Sequence, residues 1–202
     1  MKCVVDPARL LALIGMGHDH AIPMLTSPEW HKKQGVELAD LAERIYLKDY
    51  LKKSKFFPGV LEILEDLKKR GKMLALASSS QRVIIEHYLT MLPEGSKTFQ
   101  AIVTFDDVTH SKPDPELCLR ALALSKMPAE KSCTVGDSAW DMLASGTAKI
   151  DAIGVLSGGT AREELQQFGA REIYRDVQDL HEHIDASLIF SGVLKEGSPA
   201  LK

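Results

Sequence analysis

Two carboxylates, one lysine and a run of serines are the residues of this chain whose types and spacing invite chemistry. Asp137 follows an apolar run, Cys133 to Val135, and a glycine; Asp141 stands four residues later. A carboxylate at the carboxyl end of a strand, with another one helical turn on, is how a parallel α/β sheet presents a divalent-cation site. Upstream, Leu74 to Ser80 ends an apolar run in three hydroxyls, and Lys112 lies in His110 to Glu116, just before a predicted helix. Ser78 offers a hydroxyl and Ser79 a backbone N–H to a phosphoryl oxygen. Pro113 biases Lys112 towards an extended backbone, which suits a lysine projecting into a site. There it would neutralise a phosphoryl group and pair with Asp137 or Asp141. Converging, these groups bind a phosphate and a Mg²⁺ ion, with Asp137 as metal ligand and Asp141 holding a ligating water or the lysine.

Each residue also has a plainer reading. Asp137 is then a helix N-cap, Asp141 part of a solvated face, Ser78 a cap for the next helix and Lys112 an exposed turn residue. The order of the three segments favours the site. Trp140 either covers the metal loop or, by preference, packs in the core. His18, Asp19 and His20 alternate in a polar loop, a weak pattern for a metal trio; His20 is a candidate substrate contact instead. His181 and His183 read as solvated, and Lys52 to Lys55 as a charged hinge surface.

The elements that must position these groups follow from periodicity. The chain has 202 residues, 45% hydrophobic and 26% charged, enough for one core domain and a small accessory domain. From Phe57 onward helical and strand patterns alternate. Val60, Ile63, Leu64 and Leu67 share one helical face after Pro58, and Gly71 suits the helix end. Met73–Ala77, 101–103, 132–135, 151–155 and 172–174 read as strands. Helices are expected over 83–92, 115–124, 138–146 and 177–184, and Thr160 with Glu163 predicts a capping box for another. This alternation implies an α/β fold, a doubly wound parallel Rossmann-like sheet with ligands at the strands' carboxyl ends. Before it, residues 7 to about 50 read as helices only: Leu10 to Ile14, Ala21 to Leu25 and Val36 to Leu51, with Trp30 and Tyr46 as core anchors. The tail from Asp185 shows no clear pattern, and Gly197-Ser198-Pro199 suggests fraying.

Bulk properties exclude several classes. A net charge of −3 and a pI near 6.2 argue against a nucleic-acid partner. No apolar run approaches the roughly 20 residues of a membrane span, and Met1 to Asp6 is too short for a signal peptide. Three scattered cysteines, Cys3, Cys118 and Cys133, fit reduced thiols in a cytoplasmic protein.

The strings LALASSS (74–80), SKPDPE (111–116) and GDSAWDM (136–142), followed by AIGVLSGG (152–159), resemble motifs two, three and four of the haloacid dehalogenase superfamily of phosphatases. The resemblance runs from about Val5 to Ile184 and is closest to the phosphoglycolate-phosphatase and β-phosphoglucomutase group. Leu13 to Pro23 and Phe56 to Gly71 are similar to that group's helical cap and to its re-entry into the core. The resemblance implies a cap over 1–52, a core over 53–184 and a tail over 185–202. It also implies phosphoryl transfer from a small phosphorylated metabolite through an aspartyl-phosphate, with Mg²⁺ as cofactor, in a monomer or homodimer. Ser78 and Lys112 match its phosphate-binding residues, Asp137 its metal ligand and Asp141 its supporting acid. The stretch near Gly15 to His20, with Gly17 and His20 foremost, stands where the cap contributes to substrate choice.

One part of the pattern is absent. The family's first motif, an aspartate pair followed by Gly-Thr, occurs nowhere in the 202 residues. Asp6, after Lys2 to Val5, is the one candidate nucleophile, and its neighbourhood aligns better with the opening helix of the cap. The chain is therefore expected to lack the central first strand. Two neighbouring strands would keep unpaired edges, or Met1 to Val5 or a partner chain would fill the gap. Three functions stay open: a Mg²⁺-dependent phosphatase by lineage, impaired as given; a non-catalytic phosphate- or partner-binding protein; and a phosphosugar mutase.

Overall fold

The computed structural model describes residues 5–191. The gap-filling role of Met1 to Val4, the thiol of Cys3 and the fraying of the last residues lie outside the described residues. The chain opens with helices α1 (Pro7–Leu11), α2 (His18–Leu25) and α3 (Pro28–Ile45), which continues through a π turn, Tyr46–Tyr50, and a 3₁₀ turn, Leu51–Lys53. Asp6 caps α1, its Oδ1 accepting from the Ala8 N–H at 2.9 Å. The short first helix ends at Leu11, before Leu13 and Ile14. Helix α3 starts at Pro28, well before the expected Val36. Ser27 accepts from the Trp30 N–H at 3.3 Å, and Pro28 occupies the first turn, where its missing N–H costs nothing. Trp30 is only half-buried. Tyr46 is likewise half-buried, its hydroxyl bonded to those of Tyr88 and Ser54, so it fastens the helical segment to the α/β part.

The α/β part begins with α4 (Val60–Lys69), whose Ile63 and Leu67 are buried. Its end is a Schellman motif. The Lys72 N–H bonds Leu67 O at 2.9 Å, the Gly71 N–H bonds Lys68 O at 3.0 Å, and Gly71 holds φ 75°. Strand β1 (Ala75–Ala77), α5 (Arg82–Thr90), β2 (Ala101–Val103), α6 (Glu116–Ser125), β3 (Cys133–Gly136), α7 (Ala139–Thr147), β4 (Asp151–Val155), α8 (Arg162–Gln167), β5 (Ala170–Tyr174), α9 (Val177–Glu182) and α10 (Leu188–Ser191) follow. Helix α8 forms without the expected Thr160 capping box; Ala161 is its N-cap and makes no side-chain bond. Reciprocal boxes occur instead at Thr104–Asp107 and Ser138–Asp141.

All strand pairs are parallel, as the alternating pattern requires, but the sheet is in two parts. β1 pairs with β2, and β3, β4 and β5 pair in that order. Among the described residues no strand pairing joins β1 to β3. Both instead flank one groove of about 830 Å³, lined by Met73 to Ala77 on one side and Ser132 to Val135 on the other. Met73 and Val135, both apolar and both read as strand residues, are 48% and 47% exposed. The packed core lies behind β4: Ile153 is fully buried among Ile63, Leu67, Leu180, Ile184 and Leu188.

A strand paired on one side leaves backbone groups open to solvent exchange. Amide hydrogen exchange should therefore be faster in β1 and β3 than in β4, which is paired on both edges. Equal protection across all three strands in the isolated monomer would contradict this.

Candidate functional site

The carboxyl ends of β1 and β3 open on a pocket of about 430 Å³. Ser78, Ser79, Lys112, Asp137 and Asp141 all line it, so the structure brings the sequence-predicted polar residues into one place. Ser78 leaves β1 with its N–H on Val103 O at 2.9 Å, and its hydroxyl accepts from the Ser80 N–H at 3.1 Å. Ser79 Oγ accepts from the Lys112 N–H at 3.3 Å, stitching the serine loop to the lysine loop. The Lys112–Pro113 peptide bond is cis.

The acids divide their work. Asp141 is committed to protein: its Oδ1 takes Lys112 Nζ at 2.6 Å, and its Oδ2 accepts the Ser138 hydroxyl at 2.6 Å and the Ser138 N–H at 3.1 Å. Of the two partners read for Asp141, a ligating water or the lysine, the structure shows the lysine, and it adds the helix cap. Ser138, not Asp137, is the N-cap of α7. Asp137 is left facing the pocket, and among the described residues no other side chain donates to its carboxylate. Gly158 lies so close that a Cβ there would press on the Asp137 carboxyl, and Gly136 stands likewise against Asp141. The GD and SGG strings are thus the walls of the acids.

Two candidates lie elsewhere. Gly17 and His20 do not line the pocket; Gly15 and Met16 do, together with Phe57, Ser80 and Ser157. Gly17 is buried in the seam between α2 and the lysine loop, where its N–H bonds Lys112 O at 3.3 Å and a Cβ would overlap the Ser111 side chain. His20 turns towards Asp19 and His110. Asp6 is also absent from the pocket lining. Trp140 neither covers the acids nor fills the core; half-buried, it donates from Nε1 to Ala12 O at 3.1 Å. His183 is exposed, and His181, partly exposed, lies 3.5 Å from Asp66. Gly15 and Met16 open the 15–20 stretch whose resemblance to the cap implies a part in substrate choice.

Electrostatics follow from burial. Burial disfavours the Lys112 ammonium, but the Asp141 carboxylate outweighs it and the lysine titrates above its ordinary value. Asp141 is likewise penalised by burial, yet Lys112 and Ser138 hold it below the usual carboxylate range. The pair's contribution is therefore present from above the ordinary carboxylate pKa up to the ordinary lysine pKa. It is lost as pH falls through the Asp141 value or rises through the Lys112 value. Asp137 is the opposite case: burial first, then repulsion from Asp141, push its carboxyl up. Its ionisation therefore opposes folding as pH rises above the ordinary aspartate value. Lys112 and Asp141 are only 13% and 14% exposed. Lys112→Met should then cost about 3 kcal/mol in urea unfolding, by stranding a buried carboxylate. Combining it with Asp141→Asn should cost less than the two single changes added together; simple additivity would show that the pair does not couple. At neutral pH without metal, Asp137→Asn should raise Tm, and the gain should shrink as pH falls towards 4; an unchanged or lower neutral Tm would contradict the burial penalty.

Residues 1–155 match the family described as haloacid dehalogenase-like hydrolase. The pyrophosphatase PpaX of Oceanobacillus iheyensis is 32% identical over 124 residues, covering 61% of this chain and 58% of that protein. The phosphoglycolate phosphatase of Pseudomonas syringae pv. tomato is 32% identical over 130 residues, covering 61% of this chain and 47% of that protein. The chain thus spans about half the length of these curated relatives. The crystal structure of a hydrolase from Pseudomonas syringae superposes with a TM-score of 0.78 at 30% identity, over 91% of this chain and 84% of that one. With the serine, lysine and aspartate loops meeting in one pocket, and with most of the sequence matched, the chain belongs to the haloacid dehalogenase-like hydrolase family.

Proposed function

We propose that this pocket binds the phosphoryl group of a small phosphorylated metabolite together with Mg²⁺, and that the lineage activity is phosphomonoester hydrolysis through an aspartyl-phosphate. The convergence of Ser78, Ser79, Lys112 and Asp137 on one pocket carries the reading. Relatives named phosphoglycolate phosphatase and pyrophosphatase support phosphate-ester or phosphoanhydride substrates of modest size. Ser78 Oγ and the Ser79 N–H orient the phosphoryl oxygens, and Lys112 offsets their charge. Asp141 holds the lysine ammonium in place.

The residues fit Mg²⁺. This ion takes one or two carboxylates and fills its remaining positions with waters and phosphate oxygens. Asp137 is a carboxylate without a side-chain donor, in a cradle that a Cβ at Gly158 would fill. Bound there, the ion supplies charge neutralisation for the phosphoryl group. The ionised Asp137, penalised by burial and by Asp141, would be the residue to gain most from such a cation.

For the chain by itself we favour binding without turnover. No aspartate pair followed by Gly-Thr occurs in the sequence, and Asp6, the single candidate, is an exposed helix cap. The activity of a whole hydrolase then needs a nucleophile presented at the carboxyl end of the groove. Nothing in the pocket favours a mutase.

Calorimetry with inorganic phosphate and Mg²⁺ tests the site. Phosphate binding should depend on Mg²⁺; Asp137→Asn should weaken the metal, and Lys112→Met the phosphate, each about tenfold or more. Phosphate binding that ignores both changes would refute the site. Hydrolysis of p-nitrophenyl phosphate should stay at the level of the Asp137→Asn variant. Faster turnover in the unmodified chain would overturn the non-catalytic reading while leaving the binding site intact.

A further inference from the structure

A second constellation lies away from the phosphate pocket, where α2 meets the loop ahead of Lys112. Asp19, His20 and His110 place one candidate ligand atom each within 4.8 Å of one another. Asp19 and His20 come from the first turn of α2, and His110 from the loop between β2 and α6. His20 Nε2 is buried and has no hydrogen-bond partner among the described residues, although it lies 3.4 Å from Asp19 Oδ2. That separation matches the roughly 3.3 Å between neighbouring ligands of a tetrahedral zinc ion with bonds near 2 Å.

The supports around the three residues are those of an oriented ligand set. Both Asp19 oxygens are aimed by Ser111: Oδ2 accepts its N–H at 2.9 Å, and Oδ1 its hydroxyl. Each oxygen keeps a further lone pair for a cation. The backbone at His110 is held by Glu116, whose Oε2 accepts the N–H groups of Thr109 and His110, both at 2.9 Å. Partners of this kind, outside the ligands themselves, fix ligand orientation in metal sites. The ring centroids of His20 and His110 lie 6.0 Å apart, tilted by 46°.

We propose that Asp19, His20 and His110 form a binding site for a borderline divalent transition metal, Zn²⁺ foremost, that clamps α2 to the loop carrying Lys112. Two imidazoles and one carboxylate select zinc-like ions over Mg²⁺, which takes oxygen ligands. Three protein ligands leave a fourth position to solvent. This site shares no residue with the phosphate pocket, so it stands independently of the proposed function.

Zn²⁺ titration of the full, metal-stripped chain against a chromophoric chelator tests it. The expected result is one equivalent bound with Kd of about 1 µM or tighter, undisturbed by millimolar Mg²⁺. His20→Ala and His110→Gln should each weaken this ten- to a hundredfold, while Asp137→Asn leaves it unchanged. Circular dichroism checks that the variants fold, and His110, being exposed, is the safer change. Co²⁺ should give the visible absorption of a four-coordinate site, lost in His110→Gln. No Zn²⁺ binding below about 100 µM, or binding that survives both substitutions, would overturn the proposal. Loss of zinc binding in Asp137→Asn would also overturn it, placing the ion at the phosphate pocket instead.

Discussion

The ion pair between Lys112 and Asp141 ties the two halves of this sheet together where their strands do not. Lys112 leaves the loop after β2, and Asp141 sits in the first turn of α7, directly after β3. Between β1 and β3 the described residues offer a groove rather than a ladder of backbone bonds. Helix α6, packed on β1, β2 and α7, adds apolar contact across the same divide. Its Leu117 and Ala121 pack with Val103, and its Cys118 packs against Ala144. A charge pair this shielded is held by geometry, because its partners meet the full desolvation cost if they separate. The site therefore inherits its stiffness from a bond that is also part of its chemistry.

A second economy lies in Asp141. One carboxylate closes the capping box of α7 and fixes the lysine. Helix and site are thus set by the same atoms, which leaves Asp137 without competing donors. Its carboxyl is pushed up by burial and by the neighbouring Asp141, a penalty confined to one residue. The free thiols nearby behave differently. Burial pushes Cys118 up and Cys133 to about 11, so both stay protonated and unreactive at neutral pH.

Much of this was legible in the sequence because the strongest signals were chemical and local. Five strands, the loop residues Ser78, Lys112, Asp137 and Asp141, and the helix end at Gly71 follow from apolar runs, glycines and polar punctuation. The errors have physical causes. Thr160 and Glu163 match a cap pattern, but α8 starts at Arg162 and puts Ala161 at its N-cap. The start of α3 was missed because the Ser27-Pro28 signal lies before the apolar periodicity. Gly17 and His20, read as substrate contacts of the helical segment, stand beside the pocket: Ser111 packs against Gly17, and His20 faces Asp19 and His110. The pairing of Lys112 with Asp141 follows from the motifs, but that Ser138 donates to the same carboxylate through both its hydroxyl and its N–H emerges only in the fold. Why Trp30 leaves its indole N–H without a hydrogen-bond partner among the described residues has no account in the packing.

The Gly17–Ser111 seam turns α2 into a lever. The Ser111 side chain presses so close that only a hydrogen fits at position 17, and the Gly17 N–H grips the carbonyl of Lys112. Any tilt of α2 must drag that carbonyl, and the ammonium follows only as far as Asp141 permits. The position of the helical segment and that of the lysine loop are thereby mechanically linked through a backbone hydrogen bond.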